Sequence, residues 1–351
     1  MNNSWTFEQD ISSIVAACKD ELQDLSHSNI FITGGTGFIG CWLLEVIRYS
    51  NLTMKTNIRA AILTRSIVNF QKKVPHLANF DAFSFIEGDV TSFIFSAKDS
   101  YTHLIHAATD ASADLNENNP LQMFNTFVNG TKRALDFAVE KGIQDILFLS
   151  SGAVYGQQPW ELKNIPESWL GAPSCIDPKA TYAEAKRAAE MLCTIYMKQF
   201  ELKISIARIF ALLGPYLSLG IHFAAGNFIR DAMSMKKVVV NGNGLPCRSY
   251  LYASDLTTWL LKMLTSKRRL PPLNIGSEEL ISVGDLAKRV SSILGNGEYE
   301  IMGKPEVGWN PGTYAPSTSL AQNELGVKQT VFLDDAIIRT AIWNGWKGGG
   351  K

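Results

Sequence analysis

Tyr182 and Lys186 stand four residues apart in the stretch Thr-Tyr-Ala-Glu-Ala-Lys-Arg-Ala-Ala-Glu. At that interval two side chains share one face of a helix, so a phenol and an ammonium can approach each other. A neighbouring cation favours phenolate and draws the tyrosine pKa down toward a value useful for acid–base work. Alone, the pair reads equally well as an exposed lysine beside a half-buried tyrosine. A strand-like run at 146–150, continuing as Ser151-Gly-Ala-Val-Tyr-Gly156, supplies a second element. Ligands of open parallel sheets collect at the carboxyl ends of the strands, which puts Ser151 at a crevice. A serine there can hold a substrate hydroxyl or carbonyl while the tyrosine passes the proton. Ser151, Tyr182 and Lys186 are therefore the candidate catalytic residues.

The third element is the segment Asn29-Ile-Phe-Ile-Thr-Gly-Gly-Thr-Gly-Phe-Ile-Gly40. An apolar strand runs into a glycine turn and then into an amphipathic helix that starts near Phe38 (Ile39, Leu43, Val46, Ile47). Gly34, Gly37 and Gly40 fall at intervals of three, and Gly35, Gly37 and Gly40 fit G-x-G-x-x-G. Glycine serves where backbone turns tightly, nearly touches a pyrophosphate, or brings helix and strand close. The helix start offers unpaired N–H groups and a positive dipole end to phosphates. Gly34, Gly37, Phe38, Ile39 and Gly40 are thus expected to bind a dinucleotide. The next strand ends at Thr64-Arg65, where an NAD site usually places an acid for the ribose 2′-hydroxyl. A carboxylate would repel a 2′-phosphate and an arginine attracts it, so NADP(H) is favoured. The alternative is NAD, with Arg65 stacked on the adenine.

These elements need a scaffold, and the chain has 351 residues with which to build it. Runs at 59–64, 83–87, 103–107, 146–150 and 203–209 read as short strands, with helical spacing at 121–141 and 182–201 between several of them. Alternation of this kind predicts an α/β fold, a doubly wound parallel sheet of Rossmann type. After about residue 211 glycines and prolines scatter among a helix near 227–235, a strand at 238–241 and helices at 256–264 and 283–294. The expected division is a helical extension at 1–28, a dinucleotide-binding domain at 29–210 with later strands interleaved, a smaller C-terminal substrate lobe at 211–346 and a tail at 347–351. Within the extension, apolar residues from Phe7 to Leu25 keep a helical spacing, and Thr6 with Gln9 fits a capping box.

Lys plus Arg equals Asp plus Glu at 33 each, so the electrostatic footprint of a nucleic-acid binder is missing. No apolar run approaches the ~20 residues of a membrane span, and the first ten residues lack the order of a signal peptide. Five scattered cysteines without a C-x-x-C pair read as reduced thiols rather than a disulfide frame or metal site. The expectation is a cytoplasmic globular protein with no nucleic-acid, membrane or metal partner. His106, at a strand end, is expected to pack rather than ionise.

At these residues the chain resembles the extended short-chain dehydrogenase/reductase family, in its nucleotide-sugar epimerase, dehydratase and reductase branch. The resemblance runs from Asn29 to about Trp346. It rests on Thr33-Gly-Gly-Thr-Gly-Phe-Ile-Gly40, Gly88-Asp-Val90, His106-Ala-Ala108, Ser150-Ser-Gly-Ala-Val-Tyr-Gly156, Tyr182-x-x-x-Lys186, Ala207-Arg-Ile-Phe210 and Arg248-Ser-Tyr-Leu-Tyr252. It implies that Asp89 and Val90 border the adenine and that Ala107 and Ala108 line the cofactor groove. It also implies that Ser151 orients a sugar oxygen, Tyr182 is the acid/base and Lys186 holds the nicotinamide ribose. Asn227 and Arg248 match the positions that hold a sugar nucleotide's diphosphate, a task suited to the planar fork of an arginine. A homodimer joined through the helices at 121–141 and 182–201 is implied as well.

Departures from the family pattern narrow the reaction. The resembling 4,6-dehydratases carry Asp-Glu directly after the strand-end Ser/Thr, and the related decarboxylases a Glu at the position of Ala153; this chain has Gly152 and Ala153. That leaves 4-epimerases and 4-keto-sugar reductases, and Thr64-Arg65 tips the balance toward an NADPH-dependent reductase. Its substrate would be a nucleotide-linked 4-keto-6-deoxyhexose, for example dTDP-4-dehydro-6-deoxyglucose, in surface-polysaccharide sugar synthesis such as that of O-antigen. Ala211 and Phe127 each stand where the family often has Asn, and Asn125 and Asn129 are the candidate substitutes for the latter. A cofactor-sensing protein without catalysis is the non-enzymatic alternative.

Overall fold

A computed structural model describes residues 5–95, 98–108, 113–159, 161–220, 224–304 and 312–348. Its centre is a seven-stranded sheet. Strands β1 (Asn29–Thr33), β2 (Arg59–Thr64), β3 (Phe83–Glu87), β4 (His103–His106), β5 (Asp145–Ser151) and β6 (Lys203–Ile209) are joined by the short strand Leu273–Ile275. The spatial order is Leu273–Ile275, β6, β5, β4, β1, β2, β3, and every pairing is parallel. β1 is buried along Ile30, Phe31 and Ile32 with no polar alternation, as a strand covered on both faces must be. One face packs on Trp42, Leu43, Val46 and Trp259, the other on Phe137, Ala134 and Cys193.

The order reverses between β1 and β4, and this is where an open sheet leaves a crevice at its carboxyl edge. Thr33 and His106 lie side by side there in register. Two strands away, Ser151 closes β5 opposite Ile209. The doubly wound sheet expected from the sequence is therefore present, and it gathers the ends of β1, β2, β4 and β5 along one rim.

The extension is two helices rather than one: α1 (Phe7–Ala17) and α2 (Lys19–Asp24) meet at Cys18. The Cys18 thiol is buried on the Thr258 carbonyl at 3.7 Å, and both short helices keep their apolar side on the core. At the start of α1 the Thr6 N–H donates to Gln9 Oε1 at 3.0 Å, the return bond of a capping box. The glycine turn leads into α3 (Phe38–Met54).

Beyond β6 the elements are short and interleaved. Helix Ala253–Leu264 is buried on nearly every side and packs into the main core. Strand Cys247–Arg248 lies between Ile281–Ser282 and Thr313–Tyr314, with Tyr314 in register beside Arg248. Strand Val238–Val240 pairs with Tyr299–Ile301. The expected tail falls partly at 349–351, outside the described residues.

Candidate active site

The glycine turn meets its neighbours with almost no clearance. Gly34 has φ +71, and a Cβ there would lie 2.5 Å from the Ala107 carbonyl oxygen and 2.7 Å from the Ala108 nitrogen. A Cβ on Gly40 would lie 2.4 Å from the Gly35 backbone. Gly37 is the N-cap of α3 and has no side chain to occupy the first N–H groups, so no cap claims them. This cradle, closed to side chains and open to an anion, fits the pyrophosphate of a dinucleotide. Thr33 organises the adjoining edge: its hydroxyl accepts from the Ala108 N–H at 3.1 Å and pairs with His106 Nδ1 at 2.7 Å. His106 is held on its other side by the Thr131 hydroxyl at 3.1 Å. Burial drives its pKa down to about 3, so it packs as a neutral ring, as expected.

At the end of β2 the Thr64 side chain is buried and lies 3.5 Å from the Thr36 hydroxyl of the glycine turn. Arg65 follows it, exposed at the rim. Asp89 caps its own turn, accepting from the Thr91 N–H and hydroxyl at 2.8 and 2.6 Å. Val90 is buried against Gly130, where an added Cβ would come within 2.8 Å of it. Gly34, Gly37, Phe38, Ile39, Gly40, Arg65, Asp89, Val90, Ala107 and Ala108 thus lie along the carboxyl ends of β1 to β4 and the loops that follow them.

Ser151 closes β5, 6% exposed, and accepts from the Ala153 N–H at 3.2 Å. Tyr182 stands in the first turn of helix Thr181–Gln199, near enough for the Ser151 hydroxyl to act on its phenol. That turn is anchored by Asn116, whose side-chain oxygen accepts from the Tyr182 N–H at 3.1 Å. Lys186, 1% exposed, donates to the Leu149 carbonyl at 2.6 Å and lies between the rings of Phe127 and Phe148, 4.9 and 5.2 Å from their centroids. The three residues converge, but their electrostatics differ from the sequence expectation. Burial raises the Tyr182 pKa, with the Ser151 hydrogen bond opposing it only in part. Burial also lowers Lys186 to about 7, against the pull of Glu190. Lys186 is not among the groups that act on the Tyr182 phenol, which burial keeps protonated.

Phe127 explains much of this. It occupies the inner face of helix Pro120–Lys141 and meets the Tyr182 ring edge-on at 5.5 Å. Asn125 and Asn129 are exposed on the same helix, so neither takes the inner position that Phe127 holds. Beneath the site Arg208 and Glu190 form a buried ion pair at 2.7 Å, and Ser150 donates to Glu190 at 2.5 Å. Arg208 also donates to the Tyr155 hydroxyl at 2.9 Å, which donates in turn to Asn274 at 2.8 Å.

Tyr314 is a site residue that sequence reasoning missed. Its hydroxyl lies 3.4 Å from Ser151 Oγ, its ring stacks on Phe210 at 4.6 Å, and the Arg248 guanidinium stands 5.8 Å from that ring. It lies 163 residues from Ser151 in the chain and belongs to a two-residue strand, so no local pattern marks it. Arg248 is therefore brought to the Ser151 end of the site. Asn227 instead lines a cleft of about 730 Å³ with Phe228, Arg230, Val239 and Lys304, whose wall runs on to Pro246 beside the Arg248 strand. Among the described residues no group of His, Cys, Asp or Glu is placed to hold a metal ion.

The chain belongs to the NAD dependent epimerase/dehydratase family, whose sequence model matches residues 30–276. One relative is UDP-glucuronic acid decarboxylase 6 of Arabidopsis thaliana, 30% identical over 312 residues, covering 89% of this chain and 87% of that one. Among solved structures, UDP-glucuronic acid 4-epimerase from Bacillus cereus, in complex with UDP-glucuronic acid and NAD, superimposes with a TM-score of 0.75 at 21% identity over 90% of this chain and 98% of that one. UDP-glucose 4-epimerase from Thermotoga maritima, with UDP-glucose, gives 0.73 at 21% identity over the same shares. No helix among the described residues is long and apolar enough to cross a membrane.

Proposed function

We propose that this protein is a nicotinamide-dependent enzyme acting on a nucleotide sugar, and that it reduces a 4-keto group on a 6-deoxyhexose carried by a nucleoside diphosphate. The observation that supports this most directly is that Tyr182, whose phenol burial keeps protonated, and Lys186 stand by the Ser151 end of β5, where positions 152 and 153 carry no carboxylate. A phenol in that state is ready to give a proton. Ser151 would hold the carbonyl oxygen, and Tyr182 would protonate it as the alkoxide forms, a positioned donor being worth ~10²–10⁴ in rate. The dinucleotide, held by the glycine turn, Ala107, Ala108 and Lys186, supplies the hydride when bound. Asn227 and Arg248 would hold the diphosphate of the sugar donor.

Elimination and decarboxylation have no evident acid here. A side chain at Gly152 would run 2.4 Å from the Phe210 ring, so the aspartate of the dehydratase pattern does not fit, and Ala153 fills the place of the glutamate. Tyr314 stands against Ser151 with Phe210 on its ring, an aromatic lining that suits a deoxygenated methyl-bearing sugar. Arg65 at the end of β2 favours NADP(H) over the NAD in the epimerase structure. A homodimer belongs to the same proposal, with Leu121, Met191 and Ile195 exposed on the two helices that would meet.

The 4-epimerase is the second reading, supported by the solved structures that share the fold. The test mixes pure protein, NADPH and a 4-keto-6-deoxy sugar nucleotide and follows the nicotinamide absorbance. A reductase consumes NADPH one for one with the sugar, whereas an epimerase shows no net loss. Tyr182→Phe should lower turnover by ~10²–10⁴ and leave NADPH binding intact; equal turnover in the variant would remove the tyrosine from the chemistry.

A further inference from the structure

The two flanks outside the matched segment 30–276 meet on one residue inside it. Asp10 of α1 is 3% exposed, and its carboxylate is shared. The Tyr252 hydroxyl donates to one oxygen at 2.6 Å, and Arg339, from the helix Leu333–Trp343, donates to the other at 2.7 Å. The Arg339 guanidinium also lies 5.6 Å from the centre of the Tyr252 ring. A third element closes the arrangement. Trp42, in the second turn of α3, meets Tyr252 edge-on at 5.8 Å, while its indole N–H donates to the Pro215 carbonyl at 2.8 Å. Phe7 of α1 packs on Trp42 at 5.0 Å and on Trp343 at 4.8 Å.

Tyr252 ends the short segment that begins with Arg248. Its strand, Leu251–Tyr252, is only two residues long and pairs with Leu212–Leu213. Between the arginine and that strand, Ser249 is wholly buried with its hydroxyl unpartnered among the described residues. Arg248 itself is held by strand pairing on both sides, and at the far end of the segment Tyr252 adds a side-chain anchor where both flanks and the helix of the glycine turn converge. A backbone held by two-residue strands has little stiffness of its own, and a buried, doubly hydrogen-bonded carboxylate fixes its partners in one geometry.

We propose that Asp10 and Tyr252 are positioning residues for Arg248: the terminal clasp sets where the diphosphate-binding arginine stands relative to the helix that carries the dinucleotide. The inference rests on the assignment of Arg248 to the diphosphate given above. It gives the N-terminal helix a part in substrate affinity rather than in stability alone.

The test uses the full chain with Tyr252→Phe, which removes one hydroxyl and keeps the ring on Trp42, and with Asp10→Asn. Calorimetry measures the binding of uridine, thymidine, guanosine and cytidine diphosphate, and fluorescence measures NADPH. The expected result is a nucleoside diphosphate affinity about tenfold weaker in each variant, with NADPH affinity within about twofold of the parent. In an Arg248→Lys background Tyr252→Phe should cost nothing further, because the two changes act through one contact. Unchanged diphosphate affinity, an equal loss for NADPH, or a full second loss in the Arg248→Lys background would each overturn the proposal. A parent protein that binds none of the four diphosphates would remove the reading of Arg248, and this inference with it.

Discussion

Lys186 offers a quantitative test, because replacing it should stabilise the protein while disabling the site. In the folded chain free of nucleotide it ionises at about 7 rather than its ordinary 10.5, since burial between Phe127 and Phe148 penalises the ammonium. The unfolded chain therefore binds one more proton than the folded chain across that window, and stability from this group rises with pH there. Below it both states hold the proton and the folded state bears the whole cost. At 1.36 kcal/mol per pH unit, the cost falls by ~3 kcal/mol between about pH 6 and about pH 9. Lys186→Met removes the charge and keeps a long apolar stem. It gives up the hydrogen bond to Leu149, worth ~1 kcal/mol at either pH. Denaturant unfolding of nucleotide-free protein should show the variant gaining on the parent at both pH values, by ~3 kcal/mol more at the acidic one. A difference between variant and parent that does not change with pH would refute the claim that burial of the charged lysine sets its ionisation.

Two further outcomes follow from the geometry of the cofactor edge. Gly34→Ala should cost ~2 kcal/mol or more and abolish dinucleotide binding, because the new Cβ would fall 2.5 Å from the Ala107 carbonyl at a φ of +71; thermal melts and nucleotide fluorescence check both. Arg65→Asp should move the preference from NADPH toward NADH by about tenfold or more, read from the two affinities of the variant, and an unchanged ratio would show that Arg65 does not face the 2′ position.

The residues that carry the proposed chemistry were legible where they sit at local intervals. Glycines spaced by three between an apolar strand and a helix, serines at a strand end, and Tyr-x-x-x-Lys each describe one backbone geometry, and spacing alone predicts that geometry. The doubly wound parallel sheet was foreseeable for the same reason, since alternating strands and helices leave few parallel arrangements; the seventh strand, Leu273–Ile275, and the order came from the tertiary structure. The apolar period continues across Cys18 and predicts one helix; the backbone of Cys18, at φ -114 and ψ 29, interrupts it, and its thiol rests on Thr258 in a distant helix.

What the sequence determined by itself was the set of groups available for chemistry: a phenol, an ammonium, a serine hydroxyl and a glycine cradle, and no carboxylate at 152 or 153. Only the tertiary structure decided their condition. Lys186 tends to lose its proton because it is buried between Phe127 and Phe148, brought from two other elements, and Tyr182 keeps its proton in a buried place against Phe127. Tyr314 and Arg248 reach Ser151 through pairings of two-residue strands. Charge and desolvation depend on everything within a few ångströms in space, and sequence spacing specifies only the neighbours along the chain.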